Sequence, residues 1–196
     1  MTTQRTISTA GRAAVCAGAI ALIVSAGACG NTLDVPNPQA FGDDALNNTI
    51  ILKNVTNGAE GVLQLAFDDF IVVTELLSDE MESTSTWIDW EDISEGRVRH
   101  DWPTAGSFSD PQNQLLRARY AAQSAAERVQ SVLGAAAATS PLRAQVLLVD
   151  ALADLLLGTG YCESPLAADQ ARSPDTELFK QAITKFTTFI LNCKAI

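Results

Sequence analysis

Tryptophans and acids lie together in the middle of this sequence, in a stretch without helical periodicity. The six residues of interest, all between positions 87 and 102, are Trp87, Trp90, Trp102, Asp89, Glu91 and Asp92. Flat aromatic faces stack on the C–H faces of sugar rings, and carboxylates accept hydrogen bonds from sugar hydroxyls. The pattern therefore indicates a candidate ligand-binding loop. The alternative, which we favour slightly, is that the tryptophans fix the loop against the helices or pack against a protein partner.

Catalysis by these acids is a weaker hypothesis. Glycoside hydrolysis needs two carboxylates at a fixed separation on a rigid frame, which a loop does not provide. The acids of this region also lack the spacing of a calcium loop, and no zinc-binding spacing occurs anywhere. His100 is the only histidine and lies in the same loop, so no Ser/His/Asp set can be assembled. We therefore expect no catalytic residue, no metal and no cofactor.

The beginning of the chain has the three parts of an export signal over residues 1–28. Arg5 and Arg12 provide a positive segment, an apolar run follows, and small residues lead up to Cys29. The apolar run is shorter than the roughly 20 residues that a membrane-spanning helix needs. We interpret Cys29 as the lipid-bearing first residue of the mature chain. The alternative is an ordinary signal peptide whose removal leaves a free cysteine.

A short tether is predicted over residues 29–42, because Pro36 and Pro38 occur there without any periodicity. A helical domain is predicted over 43–196. The whole chain has 23 acids and 13 Lys and Arg, and two of the basic residues belong to the leader. A mature chain that is this acidic repels phosphate backbones, so nucleic acid is not an expected partner.

Apolar residues recur at steps of three and four through most of the domain, which predicts an all-α fold. We expect a short helix near 43–53, a longer one near 55–77, and helices near 111–133, 141–158 and 174–193. Residues 78–109 are predicted to form a long Trp-containing loop with one short element. Each of the last three helices is preceded by a capping residue and a proline: Asp110-Pro111, Ser140-Pro141 and Ser173-Pro174.

These helices, joined by turns, predict a tetratricopeptide-like antiparallel stack. Asp150 and Asp154 belong to a narrow polar strip on an otherwise apolar helix, which predicts an interior position for that helix. Cys162 follows the end of this helix and Cys193 lies at the end of the next. An antiparallel pair separates those two ends, so a disulfide between them is disfavoured.

Several stretches, taken in order, resemble the SusD/RagB family of nutrient-uptake lipoproteins. They are Cys29 followed by 32–38 (TLDVPNP), then 57–59 (NGA), 76–80 (LLSDE), 116–122 (LRARYAA), 155–166 (LLLGTGYCESPL) and 179–190. Members of that family are considerably longer. We therefore expect 43–196 to correspond to the N-terminal part of the family only, and the last helix to expose part of its apolar face.

The resemblance implies a lipid-anchored protein of the outer membrane that faces the cell exterior. It also implies a partner, a TonB-dependent, SusC-like outer-membrane barrel that the lipoprotein covers while it captures glycan or peptide nutrients. Two alternatives stay open. The first is a tetratricopeptide-like scaffold that binds a protein in the periplasm, and the second, less favoured, is a surface glycosidase that uses the acids of the Trp region.

Overall fold

The structure, a computed structural model, describes residues 42–99, 101, 105–167 and 170–196, and for 105–109 it describes the backbone alone. Gly42–Ile196 form one compact unit. The predicted export signal, the lipidation site Cys29 and residues 29–41 of the tether lie outside the described residues. His100 and Trp102 also lie outside them.

The predicted all-α fold is confirmed for the described part of the chain. A 3₁₀ helix, Asp43–Leu46, leads into the long helix α1. The α-helices are α1 (Thr49–Leu77), α2 (Ile88–Ser94), α3 (Ala105–Leu133), α4 (Pro141–Gly160) and α5 (Asp175–Ala195). A second 3₁₀ helix, Gly134–Thr139, joins α3 to α4, and two three-residue strands separate α4 from α5.

Helix α1 is one continuous helix, so the prediction of two helices near 43–53 and 55–77 was wrong. The helix begins after Asn48, whose side chain accepts a hydrogen bond from the backbone N–H of Ile50 at 2.9 Å. Gly58 and Gly61 lie within it and do not interrupt it. A glycine costs a helix only about 1 kcal/mol relative to alanine. The buried apolar stripe of α1, which runs from Leu52 to Leu76, outweighs that cost.

Helix α3 begins six residues earlier than the sequence predicted. The expected start was Asp110-Pro111, but the helix begins at Ala105 and contains Pro111. A proline inside a helix costs one hydrogen bond, because it has no N–H. The ring of Pro111 is fully buried, so its packing in the core offsets that cost. The side chain of Asp110 is exposed and accepts a hydrogen bond from Gln114, one turn further along the helix.

The predicted start of α4 is confirmed. Ser140 caps the helix by accepting a hydrogen bond from the N–H of Leu142, and Pro141 occupies the first helical position. The helix continues two residues beyond the predicted end, to Gly160. A Cβ atom at this position would overlap the ring of Phe70 on α1, so glycine permits the close approach of the two helices.

The predicted cap of α5 was wrong, because Ser173 and Pro174 form part of a strand. Strand β2 (Arg172–Pro174) pairs antiparallel with β1 (Glu163–Pro165), and Ser173 lies opposite Ser164. Helix α5 begins at Asp175 instead, and the side chain of Asp175 accepts a hydrogen bond from the N–H of Thr176. The local cap signal was overridden by strand pairing with a segment that lies nine residues earlier.

Hydrogen bonds and ion pairs between side chains establish the directions of the helices. Gln130 contacts Arg143 near the α3–α4 turn and Arg119 contacts Asp154 farther from it, so α3 and α4 are antiparallel. Helices α1 and α3 are also antiparallel, as are α4 and α5. Helix α1 therefore lies parallel to α4, and Gln145 of α4 contacts Glu60 of α1. The predicted antiparallel stack is thus the observed arrangement.

The main core lies where α1, α3 and α4 meet, and Leu178 of α5 joins it. Its small residues, such as Ala118, Ala122 and Ala153, allow the helices to approach closely. Among the described residues, no single helix combines the length and hydropathy of a membrane span. The bent pair Asp110–Thr139 and Pro141–Gly160 meets those criteria only when its two members are taken together.

Candidate functional site

The two described tryptophans of the Trp region have different environments. Trp87 precedes α2 and is 69% exposed, and its neighbour Ile88 is exposed as well. Trp90 lies within α2, is partly buried, and packs against a small cluster of Val73, Leu76 and Ile93. The environment of Trp90 matches the alternative that tryptophan fixes this segment to the helices. Trp87 remains available to a ligand or a partner.

Three acids of the same region, Glu91, Asp92 and Glu95, lie beside Arg97. Asp92 is buried and lies 3.1 Å from the Arg97 guanidinium, and Glu95 lies 2.8 Å from it. Glu91 is exposed and lies 3.8 Å from the same group, while Asp89 is partly buried. Since Asp92 and Glu91 both engage Arg97, these carboxylates are committed to a local ion-pair cluster. We call Glu91, Asp92, Glu95 and Arg97 the Arg97 cluster.

A second group of charged residues lies in the interior, between α3, α4 and α5. Asp154 is fully buried, and its carboxylate contacts Arg119 of α3 at 3.3 Å and Lys185 of α5 at 2.5 Å. Lys185 also contacts Asp150 at 2.9 Å, and Gln123 donates a hydrogen bond to Asp150 at 3.2 Å. These residues, Arg119, Gln123, Asp150, Asp154 and Lys185, form what we call the buried charge network.

Burial shifts the pKa of Asp150. Its removal from water raises the pKa of the carboxyl above the ordinary value of 3.8, and the charge of Asp154 acts in the same direction. The ammonium of Lys185 and the hydrogen bonds from Lys185 and Gln123 oppose this effect without cancelling it. In the buried charge network, two cations therefore compensate two carboxylates, and an amide donates one further hydrogen bond.

The buried charge network was missed as a unit by sequence reasoning. The available signal was the pair Asp150 and Asp154, one turn apart on a helix that is otherwise apolar. Their partners could not be identified in the same way, because Arg119 and Lys185 are more than 30 residues distant from Asp154. Such a network specifies which helices pack together and in which register, although it adds little net stability over apolar packing.

An apolar groove runs between the parallel helices α1 and α4. It has a volume of about 550 Å³, which falls within the range of small-molecule sites. We define the apolar groove by its lining residues, which are Glu60, Leu63, Gln64, Phe67, Gln145, Leu148, Val149, Leu152 and Leu156. Phe67 is 44% exposed, so its ring is accessible from solvent. No element among the described residues covers this groove.

The polar residues of the apolar groove lie toward its Glu60 end. Gln145 donates hydrogen bonds to the Glu60 carboxylate at 2.6 Å and to Asn57 at 3.1 Å. In the part of the chain that the structure describes, no Lys or Arg forms an ion pair with Glu60. The groove therefore combines a long apolar wall with one carboxylate whose charge is not neutralised by a neighbouring cation.

The last helix has an exposed apolar face, as the sequence analysis predicted. Ile183, Ile190 and Leu191 of α5 are each at least half exposed. Cys162 and Cys193 are both free and exposed, and the antiparallel packing of α4 and α5 places them at opposite ends of this pair. Within the described ranges, no group of His, Cys, Asp and Glu has the geometry to hold a metal ion.

Comparison with known proteins adds no relative to this description. No family model, no curated protein and no solved structure matches the chain.

Proposed function

We propose that this chain is a non-catalytic, lipid-anchored binding protein of the outer membrane. In this proposal it captures a glycan or peptide nutrient on the cell surface and delivers it to a TonB-dependent barrel. The observation that carries the binding role is the apolar groove, because a concave apolar surface with a few polar groups is the usual form of a ligand site. The surface location rests on the export signal and on Cys29.

Two further features support binding without catalysis. Glycoside hydrolysis requires two carboxylates at a fixed separation on either side of the scissile bond. In the Arg97 cluster, Glu91 and Asp92 instead form ion pairs with the same guanidinium. The exposed ring of Trp87 and the apolar groove offer contact surfaces instead.

Metabolic labelling with a fatty-acid probe tests the anchor. We expect the full chain to carry the label and to fractionate with the outer membrane, and C29A to lose the label and leave that fraction. Cys193→Ala is the matched control, because its thiol lies near the other end of the chain and its replacement leaves labelling intact. An unlabelled wild-type chain would overturn the proposed location.

Co-purification from detergent-solubilised membranes tests the partner. The proposal predicts that a large β-barrel accompanies the tagged wild-type chain and that protease added to intact cells digests the exposed chain. A chain that intact cells protect from protease would contradict the proposed orientation.

The second candidate function is a periplasmic scaffold for a protein partner. The apolar face of α5 favours it, since Ile183, Ile190 and Leu191 form a surface of the kind that protein partners cover. This candidate predicts protection from external protease and loss of a protein partner in I190Q. The nutrient-capture proposal predicts digestion by that protease.

A further inference from the structure

We infer that the apolar groove binds a short apolar peptide, with the peptide's free N-terminal ammonium on Glu60. This inference rests on the proposed nutrient-capture function and names the substrate class. It assigns a ligand role to residues that the sequence analysis did not single out. The assignment follows from the wall of the groove, from the charge at its polar end, and from its amide groups.

The wall of the groove favours apolar side chains over sugars. Leu63 and Phe67 form the α1 side, and Leu148, Leu152 and Leu156 form most of the α4 side. Such a wall offers few partners to the hydroxyls of a sugar, and a hydroxyl buried without a hydrogen bond loses free energy. Aliphatic side chains lose no hydrogen bonds there and gain from burial. A volume of about 550 Å³ suits a short peptide better than a folded partner.

The polar end of the groove determines which group of the peptide lies there. Glu60 has no cationic partner among the described residues, and no basic residue lines the groove. An ammonium group complements this carboxylate, and a charge-assisted hydrogen bond is the strongest contact that the groove can offer. A carboxylate-bearing ligand in the same orientation would be repelled by Glu60. The ligand therefore binds in one orientation, with its ammonium at Glu60 and its apolar side chains along the wall of the groove.

The side-chain amides supply the remaining recognition. Gln64 and Gln145 line the groove and carry both donors and acceptors. A peptide backbone also presents one donor and one acceptor per residue, so these amides can pair with it. Gln145 already donates to Glu60, which holds the carboxylate in place before the ligand arrives.

Calorimetric titration of the mature chain with three probes tests the inference. The probes are trileucine with a free amine, N-acetyl-trileucine and maltoheptaose. We expect trileucine to bind, N-acetyl-trileucine to bind about tenfold more weakly because it lacks the ammonium, and maltoheptaose not to bind to the groove. In E60Q, the Kd of trileucine rises about tenfold and the Kd of the acetylated peptide stays unchanged.

Two matched variants of α1 locate the site. Phe67 lines the groove, whereas Leu65 is exposed on the same helix and does not line it. F67Q weakens trileucine binding about tenfold, and L65Q leaves it unchanged. Leu148→Gln, on the opposite wall, provides a second loss of binding if F67Q fails to fold, as thermal melting would show.

Several results would overturn the inference. Equal effects of F67Q and L65Q would place the peptide elsewhere, and equal binding of the free and acetylated peptides would remove the role of Glu60. Binding of maltoheptaose without trileucine would identify a glycan ligand, which contradicts the inference and leaves the proposed function standing. A concentration-dependent dimer that F67Q dissolves and L65Q does not would show that a second copy occupies the groove. Failure of the labelling and barrel experiments, by contrast, would refute the proposed function alone.

Discussion

Two clusters of acids and cations in this molecule use the same chemistry in opposite surroundings. In the Arg97 cluster, Arg97 is 43% exposed and its partners all lie within six residues of it. In the buried charge network, Asp154 is fully buried and its partners come from two other helices. The Arg97 cluster holds one segment in shape, whereas the buried charge network joins α3, α4 and α5.

The difference shows why residue type alone does not determine the importance of a charge. Water solvates an exposed guanidinium that has lost a partner, so the loss of one ion pair there has a small cost. A buried cation that has lost its carboxylate has no such alternative. Glu91 and Asp92, which stood out in the sequence as candidate ligand-binding residues, belong to the Arg97 cluster. The acids with the larger expected effect on stability belong to the interior.

The largest expected effect is that of Asp154→Asn. The substitution preserves the shape of the side chain but leaves Arg119 and Lys185 with reduced compensation in the interior. We expect the free energy of unfolding to fall by about 3–5 kcal/mol, measured by urea denaturation of the mature chain. A loss below about 1 kcal/mol would mean that water reaches these cations, and the contrast between the two clusters would then fail.

The next largest effect distinguishes Trp90 from Trp87. Trp90→Ala removes a partly buried ring from the cluster of Val73, Leu76 and Ile93, so we expect a loss of about 2 kcal/mol in unfolding free energy. Trp87→Ala removes an exposed ring and should change this value by less than about 0.5 kcal/mol. Thermal and urea unfolding of both variants check the difference. Equal losses would show that both rings fix the segment to the helices.

Asp92→Asn is the matched counterpart of the Asp154 variant in the exposed cluster. Asp92 is itself buried, but Glu95 remains beside Arg97 and water reaches the guanidinium. We expect a loss of about 1 kcal/mol by the same urea measurement. If this loss equalled that of Asp154→Asn, exposure of the cation would not be the deciding variable.

The smallest expected effect concerns pH. The folded-state pKa of Asp150 is raised by burial, so the folded chain holds this proton more tightly than the unfolded chain does. Its contribution to stability is therefore largest below the ordinary value of 3.8 and is lost as pH rises through the folded value. Groups that face it are Lys185, Gln123 and Asp154.

Asp150→Asn removes this contribution. Its unfolding free energy should consequently rise more steeply with pH than that of the wild type, in the interval above pH 3.8. Urea denaturation at a series of pH values measures the slope. Parallel curves for the two proteins would show that Lys185 fully offsets the burial of the carboxyl.

Local signals in the sequence located most of each long helix. The spacing of apolar residues predicted most of α1, α3, α4 and α5, because a helical face repeats every three to four residues whatever it packs against. It did not predict that α1 is continuous. Ser140 and Pro141 predicted the start of α4 because a cap acts within one turn. The same signals failed at Pro111, where burial of the ring compensates for the missing N–H, and at Ser173, which pairs with Ser164 in a strand and does not cap the helix.

The candidate site was less predictable than the fold. Trp87 and the acids near it were visible as a cluster because they are neighbours along the chain. Glu60, Phe67 and Leu152 gave no such signal, because they form one groove only when α1 and α4 lie side by side and parallel. Helices α1 and α4 are distant along the chain, and the periodicity of each one does not reveal that the two lie side by side.

By itself, the sequence determined most of the helical segments, which of their faces are apolar, and that Asp150 and Asp154 share one side of an interior helix. Only the tertiary structure decided that Lys185 and Arg119 neutralise those acids and that an apolar groove lies between α1 and α4. The physical reason is range. Capping and helical periodicity act over a few residues, whereas ion pairs and grooves depend on segments that only packing brings together.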